Sequence, residues 1–342
     1  AGTAGVVASF AGSQDYNSST GSASFAIVQA SATVWADSPA DITYGDSTPV
    51  VGYSSWPPVS WVVEPTCAVF AAADTGFLAP LTGVVDAGSY VTHCSGGESA
   101  DYVPEYVDGS FTVWPADPSL VVSCPASVVF DGSAQEPCSA DVYDTGTGQW
   151  VGSADLSYSS NTDAGTAWVD AYYAGSQDYN PSTGSASFVI TPADTSIVVS
   201  CPDSVGYDGS VQEPCSADVY DAVTGQWVGS ADLSYASNTD AGTAWVYASY
   251  AGSQDYNPSY GSGSFVINPA DTHVVVSCPA SVVFDGSAQE PCSADVYDTV
   301  TGQWVDSVPV SYSSNTDAGT AGVVASFAGS QDYNSSTGSA SF

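Results

Sequence analysis

A run of 24 residues that contains two cysteines occurs three times in this chain, at a spacing of 77 residues. It reads VVSCPASVVFDGSAQEPCSADVYD from Val121, and near-copies begin at Val198 and Val275. Self-similarity at a fixed period is the sequence mark of a repeat architecture, in which each copy is one structural unit. The chain is therefore predicted to fold as a series of similar modules.

A longer period encloses the shorter one. Residues 1–25 read AGTAGVVASFAGSQDYNSSTGSASF and are repeated without change as residues 318–342, an offset of 317. Three units of 77 residues leave room in that period for one divergent module. The predicted layout is the last two strands of a partial module at 1–25, a divergent module at 31–114, and repeats at 118–192, 195–269 and 272–342.

Two strands cannot form a packed core alone, so residues 1–25 are expected to need further strands. If the chain continues upstream, they complete a module of the preceding period. If it does not, strands of another molecule complete them, as in donor-strand assembly. The last module has its own copy of these strands, so we favour the continuing chain.

Composition removes several classes of function. The chain has 37 acidic residues, two histidines, and neither lysine nor arginine, for a net charge of −37. Nucleic-acid binding is not expected, because it depends on neutralising phosphates with basic side chains. No apolar stretch approaches the roughly 18 residues of a membrane span, so none is expected. Trypsin-like proteases have no cleavage site.

Eight cysteines predict four disulfides. Cys124 and Cys138 flank an Asp-Gly turn symmetrically, and the copies Cys201–Cys215 and Cys278–Cys292 do the same. Cys67 and Cys94 remain and most simply pair with each other. The rival interpretation is a metal site, but the spacings are long and histidine is scarce. Disulfides on this scale predict an oxidising, extracellular or cell-surface setting.

The local pattern is all-β. Gly, Pro, Asn, Asp and Ser interrupt the chain every eight to twelve residues, and no 3.6-residue period is sustained. In the penultimate strand of the repeat, Ala167, Val169, Ala171 and Tyr173 are small or apolar, and copies keep this pattern while the alternate positions vary. Such alternation is typical of a strand packed on one face, and the predicted module is a two-sheet sandwich.

Several motifs carry a family resemblance. They are YDGSVQEPCSA (207–217), SNTDAGTA (237–244), AGSQDYNPS and, in the divergent module, ITYGDSTP (42–49), DAGSYVTHCSGG (86–97) and YVDGSFTV (106–113). Together they resemble bacterial Ig-like repeats, the divergent module being similar to the "mostly beta, glycine-rich" class. The resemblance implies tandem Ig-like β-sandwich modules in a linear array, of the kind found in large surface proteins, adhesins and fibres. It implies no catalytic residues.

An enzyme is not expected. His93 and His273 lie in different modules, and the three near-copies share no histidine, so neither is predicted to act as a catalytic base. Without lysine there is no P-loop and no Schiff base. No cofactor is predicted apart from calcium, a hard cation that takes loop carboxylates as ligands. The weak calcium candidates are Asp163, Asp178, Asp240, Asp255, Asp317 and Asp332.

Tryptophans provide the remaining candidates. Trp150, Trp227 and Trp304 recur at a strand start and are interpreted as plugs at the end of each module. Trp168 and Trp245 point away from the core by strict alternation, and the last module has Gly322 there. They are predicted to mediate self-association between modules or chains, with carbohydrate stacking as the alternative.

The predicted function is therefore structural. We expect an extracellular filament of tandem, disulfide-linked Ig-like modules, which self-associates by covalent continuation of the chain or by donor-strand contacts. The alternative is an adhesin stalk that binds a glycan or a host surface through its Trp and Asp loops.

Overall fold

The computed structural model describes all 342 residues and is all-β, with no helix and hence none that could cross a membrane. The chain forms two compact units. The first comprises Ala1–Ala126, Glu136–Ser159 and Ala167–Phe188. The second comprises Ser127–Gln135, Ser160–Thr166 and Val189–Phe342. The division passes through the repeat at 118–192, two short segments of which belong to the second unit.

The first unit opens with a two-stranded antiparallel hairpin, followed by the divergent module with sheet orders β10-β3-β5, β4-β11-β8-β7 and β6-β9. The strands are β1 (Gly2–Phe10), β2 (Ser19–Ile27), β3 (Ala30–Ala36), β4 (Ile42–Thr43), β5 (Tyr53–Trp56), β6 (Trp61–Val63), β7 (Thr66–Ala71), β8 (Gly88–Ser95), β9 (Glu98–Ser99), β10 (Tyr102–Val107) and β11 (Gly109–Trp114).

The repeat at 118–192 has a three-stranded sheet, β12-β14-β15, and a four-stranded sheet, β13-β18-β17-β16. Its strands are β12 (Ser119–Ser123), β13 (Ser127–Val129), β14 (Ser139–Tyr143), β15 (Trp150–Ser153), β16 (Asp155–Ser159), β17 (Gly165–Tyr173) and β18 (Ser182–Thr191).

The rest of the second unit repeats these sheets as β19-β21-β22 with β20-β25-β24-β23, and then β26-β27-β28 with β29-β30-β31. The strands are β19 (Thr195–Ser200), β20 (Ser204–Gly206), β21 (Ser216–Asp221), β22 (Trp227–Ser230), β23 (Asp232–Ala236), β24 (Gly242–Tyr250), β25 (Ser259–Asn268), β26 (Thr272–Ser277), β27 (Ser293–Asp298), β28 (Trp304–Ser307), β29 (Val310–Ser313), β30 (Gly322–Phe327) and β31 (Ser336–Ser341).

The segment that opens each complete repeat, VVSCPASVVF (121–130) in the first, forms two strands that join different sheets. β19 pairs antiparallel with β21, whereas β20 pairs parallel with β25. Between them lies Cys201-Pro202, where proline has no N–H to donate to a ladder. The chain therefore leaves one sheet at the cysteine and enters the other. The divergent module has the same order in its four-stranded sheet, with β4 parallel to β11.

The last repeat lacks the short parallel strand. In the first repeat, Ser127–Val129 pair with Val189–Thr191. In the last repeat the corresponding residues, 281–283, are not part of a strand. Val283 is accordingly 87% exposed.

Alternation along the long strands places the core. On β24, Ala244, Val246 and Ala248 are buried, whereas Trp245 and Tyr247 are exposed. Phe265 and Ile267 of β25 complete this cluster, and Val199 and Cys201 pack on it from the three-stranded sheet. The two sheets of the repeat thus contribute to one core, and the buried face is the one that the sequence alternation predicts.

The structure pairs the eight cysteines as the four predicted disulfides: Cys67–Cys94, Cys124–Cys138, Cys201–Cys215 and Cys278–Cys292. In the repeats, the cysteines are the next pair after the last paired residues of two antiparallel strands. For example, Ser200 of β19 pairs with Ser216 of β21, and Cys201 is bonded to Cys215. In the divergent module the two cysteines face each other within the paired strands β7 and β8. Four disulfides are typical of a protein that folds in an oxidising, extracellular environment.

Replacing Cys201 and Cys215 together by alanine is expected to lower the free energy of unfolding of the 195–269 repeat by about 3 kcal/mol. The bond closes a loop with a sequence separation of 14 residues, and removing it restores freedom to the unfolded chain. Guanidinium titration of the parent and the variant would measure the change, and chemical reduction of the parent is the control. A variant as stable as the parent would contradict the prediction.

Candidate functional site: the junction between repeats

The loop AGSQDYN connects the last two strands of every repeat and has the same conformation in all of its copies. It occupies residues 11–17, 174–180, 251–257 and 328–334. In the third copy the Ser253 amide donates to the Tyr256 carbonyl at 2.9 Å. Gly252 has a φ of +86°, and a Cβ there would lie 2.8 Å from the Tyr256 carbonyl, so glycine is required. The loop is thus a rigid turn that presents Gln, Asp and Tyr outward.

The Asp and Gln of this loop bind one alanine of the preceding module. The Asp255 carboxylate accepts the Ala164 backbone N–H at 2.7 Å, and the Gln254 side-chain amide donates to the Ala164 carbonyl at 2.8 Å. Ala164 belongs to the SNTDAG corner and is buried. The backbone of Ala164 is therefore held through both its N–H and its carbonyl.

The same two hydrogen bonds recur at the neighbouring junctions. Asp332 accepts the Ala241 amide at 2.7 Å, and Gln331 donates to the Ala241 carbonyl at 3.0 Å. In the first unit, Asp178 and Gln177 bind Ala87 of the divergent module at 2.7 and 3.0 Å. We call this arrangement the clasp: the Gln and Asp of an AGSQDYN loop bound to a corner alanine.

An aromatic pair lies beside each clasp. The loop tyrosine meets an aromatic ring of the preceding module edge to face, with ring centroids 5.3–5.4 Å apart. The pairs are Tyr179 with Tyr44, Tyr256 with Phe130, and Tyr333 with Tyr207. Edge-to-face geometry of this kind adds roughly 0.5–1.5 kcal/mol beyond the area that is buried.

The main chain of the loop also fixes the linker between modules. The Ala193 amide donates to the Asp255 carbonyl at 2.9 Å, and the Asn257 amide donates to the Ala193 carbonyl at 2.8 Å. The Asn257 side chain donates to the Asp194 carboxylate at 2.8 Å. The linker Pro192–Asp194 is therefore held to the loop by backbone hydrogen bonds, in addition to the stiffness that proline provides.

A related contact in the divergent module involves a loop of different sequence. The divergent module has no AGSQDYN loop, yet its Asp101 carboxylate accepts the Ala1 amino group, and its Asp101 carbonyl accepts the Ala30 amide at 3.0 Å. Ala1 heads the same AGTAGVVASF sequence as Ala318. The contact to Ala1 is an ion pair with a terminal ammonium group, and the nearby Gln29 side chain donates to the Ser99 carbonyl at 2.8 Å.

A second turn holds the linker and buries a carboxylate. Asp221 is 4% exposed, and its carboxylate accepts the Val223 and Thr224 amides at 2.8 and 2.7 Å. The neighbouring Ala222 amide donates to the Asp194 carbonyl of the linker at 2.9 Å. The hydrogen bond from the Thr224 amide lowers the pKa of the Asp221 carboxyl, against the opposing effect of burial.

Tyrosines at the junction remain neutral. Burial and the nearby carboxylates Asp221 and Asp255 raise the pKa of Tyr256, and burial and Asp332 raise that of Tyr207. The Tyr179 hydroxyl, whose pKa burial also raises, donates to the Asp144 carboxylate at 2.8 Å. These phenols therefore act as protonated packing and donor groups at neutral pH.

The six calcium candidates divide into two sets. Asp178, Asp255 and Asp332 are the carboxylates of the clasps, a role that the sequence interpretation missed. Asp163, Asp240 and Asp317 are exposed on the corners, each directly before the corner alanine. No group of three or more His, Cys, Asp or Glu side chains is arranged to hold a metal ion.

The interpretation of Trp150, Trp227 and Trp304 as end plugs is wrong. They are 59–61% exposed, and each indole N–H donates to an aspartate of the neighbouring strand, Asp141, Asp218 or Asp295, at 3.1–3.3 Å. A ring on the open face of a short strand cannot close the core. Trp168 and Trp245 are 57% and 50% exposed, on the outer face of their strands.

The two histidines lie apart from the clasps. His93 stacks on Phe77 with ring centroids 3.8 Å apart, and its Nδ1 lies 2.7 Å from the Asp108 carboxylate. His273 stacks on Tyr297 at 5.8 Å. Both rings thus have structural neighbours in their own modules.

No family model and no curated protein matches the chain. Among solved structures it is similar to the crystal structure of the S-layer protein rSbsC, with 12% sequence identity and a TM-score of 0.18. The match covers 90% of this chain and 53% of that one, so the chain spans about half the length of that structure.

Replacing Asp255 by alanine is expected to destabilise its junction by about 1–3 kcal/mol, because the buried Ala164 amide loses its only acceptor at the clasp. The matched control is Asp15→Ala, in an identical loop whose aspartate donates its backbone N–H to Ser13 Oγ and forms no clasp; it should change stability by less than about 0.5 kcal/mol. Hydrogen exchange of the 160–167 segment would report both. Equal exchange in the two variants would contradict the role of the clasp.

Replacing Asp221 by asparagine is expected to cost about 1.5–3 kcal/mol at pH 7, the range for hydrogen bonds to charged groups. Because the folded pKa lies below the ordinary value of 3.8, the carboxylate stabilises the parent above that value, and this contribution is lost as pH falls through the folded pKa. The difference between parent and variant should thus shrink below about pH 4. Urea titrations from pH 2.5 to 7 would measure it. Asp232→Asn, at an exposed position, is the control.

Proposed function

We propose that the protein is an extracellular structural protein whose tandem Ig-like modules form a mechanically continuous fibre. The observation that supports this most directly is the recurrence of one clasp at three successive junctions. A chain of independent binding modules has no need of identical, buried junctions. A fibre does, because every junction must transmit the same load.

The Ig-like assignment is supported by the two sheets of each complete repeat. A three-stranded and a four-stranded sheet share one core, and a disulfide lies at the end of the first strand. A small core gains much of its stability from such a covalent bond. In this proposal each module is a short sandwich, and the disulfide prevents the residues between its two cysteines from being pulled out into an extended chain.

The junction contacts suit a tensile role. The clasp, the aromatic pair and the linker pairing lie together at Asp255, Tyr256 and Ala193. Each alone contributes on the order of 1 kcal/mol, but they must be broken together for neighbouring modules to rotate. The proposed fibre therefore resists bending through many small, cooperative contacts.

Stretching single chains in the atomic force microscope tests the proposal. We expect a series of equal unfolding events, each releasing roughly 200–230 Å of chain. Each repeat spans 77 residues, the intact disulfide keeps 14 of them from extending, and an extended residue is about 3.3–3.6 Å long. Reduction should lengthen each event by roughly 50 Å. A single event at low force, or extension without any events, would contradict a mechanical role.

A second candidate function is glycan binding by an adhesin stalk, which the exposed aromatic face favours. Trp168 and Tyr172 are 57% and 52% exposed on β17, and Trp245 and Tyr247 are 50% and 54% exposed on β24. Flat exposed rings are suitable for stacking on sugars. A glycan array probed with the parent and with Trp168→Ala plus Trp245→Ala separates the two functions. Binding that the double variant loses would favour the adhesin.

A further inference from the structure

The asparagine that ends each AGSQDYN loop is followed by different residues in different copies. Asn180 and Asn257 are followed by Pro-Ser, whereas Asn334 is followed by Ser335 and Ser336. The sequence Asn-X-Ser, in which X is any residue except proline, is the acceptor for N-linked glycosylation. Among the three loops that form clasps, only the loop of the last repeat therefore contains an acceptor sequence.

The acceptor lies on the surface of a junction. Asn334 and Ser335 are both exposed. The Asn334 side-chain amide donates to the Asp271 carboxylate at 2.8 Å and to the Pro269 carbonyl at 3.3 Å. An N-linked sugar replaces one of the two hydrogens of this nitrogen and leaves the other. A glycosylated Asn334 therefore retains one N–H for the linker, and the sugar has open solvent beside it.

The serine two residues after the asparagine has the same structural role in different copies. Ser336 Oγ lies 2.7 Å from Thr272 Oγ1, and Ser259 Oγ lies 2.7 Å from Thr195 Oγ1. The fold thus uses the asparagine and the serine in each of these loops, whether or not the sequence is an acceptor. Only the residue between them differs, and the presence of Pro258 in one copy shows that the loop accommodates proline there.

We propose that Asn334 is a site of N-linked glycosylation. In this reaction the side-chain nitrogen of Asn334 attacks the anomeric carbon of a sugar that is carried on a lipid diphosphate. An N–C bond forms, the C–O bond to the diphosphate breaks, and the lipid diphosphate departs. The nitrogen loses one proton to a base of the transferring enzyme. The inference goes beyond the proposed fibre and rests on the extracellular setting that four disulfides indicate.

The hydrogen bonds of Asn334 determine when the sugar is added. In the folded protein the nitrogen is held between Asp271 and Pro269, so the transfer takes place before the loop meets the linker. Proline at X prevents the transfer on an unfolded chain as well. Asn180 and Asn257 therefore stay unmodified whatever the order in which the modules fold.

Mass spectrometry of the protein from its natural source tests the proposal. Trypsin is unsuitable because the chain has no lysine or arginine, but chemical cleavage after tryptophan separates the relevant asparagines. The fragment that begins at Val305 contains Asn334, fragment 246–304 contains Asn257, and fragment 1–35 contains a second Asn-Ser-Ser sequence at 17–19. We expect a glycan on the fragment that begins at Val305. Enzymatic removal of the glycan should convert Asn334 to aspartate, which identifies the residue.

Two single substitutions exchange the sequences of the copies. They are compared with the parent chain after secretion from a host that attaches N-linked glycans. Ser335→Pro gives Asn334 the sequence context of Asn257 and should remove the glycan from the fragment that begins at Val305. Pro258→Ser gives Asn257 the context of Asn334 and should add a glycan to fragment 246–304. Each new residue already occurs at this place in another copy, so both variants should fold, which circular dichroism checks.

Three results would overturn the proposal. The first is an unmodified Asn334 in the protein from its natural source. The second is a glycan that stays on the fragment beginning at Val305 in the Ser335→Pro variant, because the sugar would then be attached to another residue. The third is a Pro258→Ser variant that gains no glycan, because proline would then not be what distinguishes the copies. The force measurement on single chains does not depend on a glycan, so each of these results would leave the proposed function standing.

Discussion

The contact on which the array depends is the pair of hydrogen bonds between one loop and one alanine. An Asp carboxylate and a Gln amide of each repeat bind the N–H and the carbonyl of the same residue in the module before it. The alanine side chain is small enough for the loop to approach the main chain, and the residue is buried once bound. Because the alanine amide has no other acceptor at the clasp, its hydrogen bond to the aspartate contributes more to stability than an average surface hydrogen bond does.

A chain without lysine or arginine has to satisfy its carboxylates with other donors. The structure does so with backbone amides, hydroxyl groups and indole N–H groups. Asp131 accepts the Ser133 amide and hydroxyl, and Asp141 accepts the Trp150 indole. Hydrogen bonds from Ser133 lower the pKa of Asp131. These local contacts explain why so many aspartates recur at turns.

The parts of the fold that depend on local periodicity could be predicted from the sequence. The buried and exposed faces of β24 follow from strict alternation, and the cysteine pairs follow from their symmetric spacing in three copies. The division of the first strand at Cys201-Pro202 was missed, because a proline removes a donor without revealing which sheet the chain joins next. The end-plug interpretation failed because the Trp150 ring is held by a carboxylate on the adjacent strand, a contact that hydrophobicity does not indicate.

The clasp itself could not have been found by comparing side-chain motifs. Asp255 binds a backbone amide 91 residues earlier in the chain, and a backbone amide leaves no signature in the sequence. The same property explains how the divergent module takes part. Its Asp101 lies in a loop of different sequence, yet its carbonyl accepts the linker amide of Ala30, as the Asp255 carbonyl accepts that of Ala193. Recognition of main-chain atoms tolerates such divergence. The aromatic partner, which is Tyr44, Phe130 or Tyr207 in successive modules, is then free to vary as long as a ring edge meets a ring face.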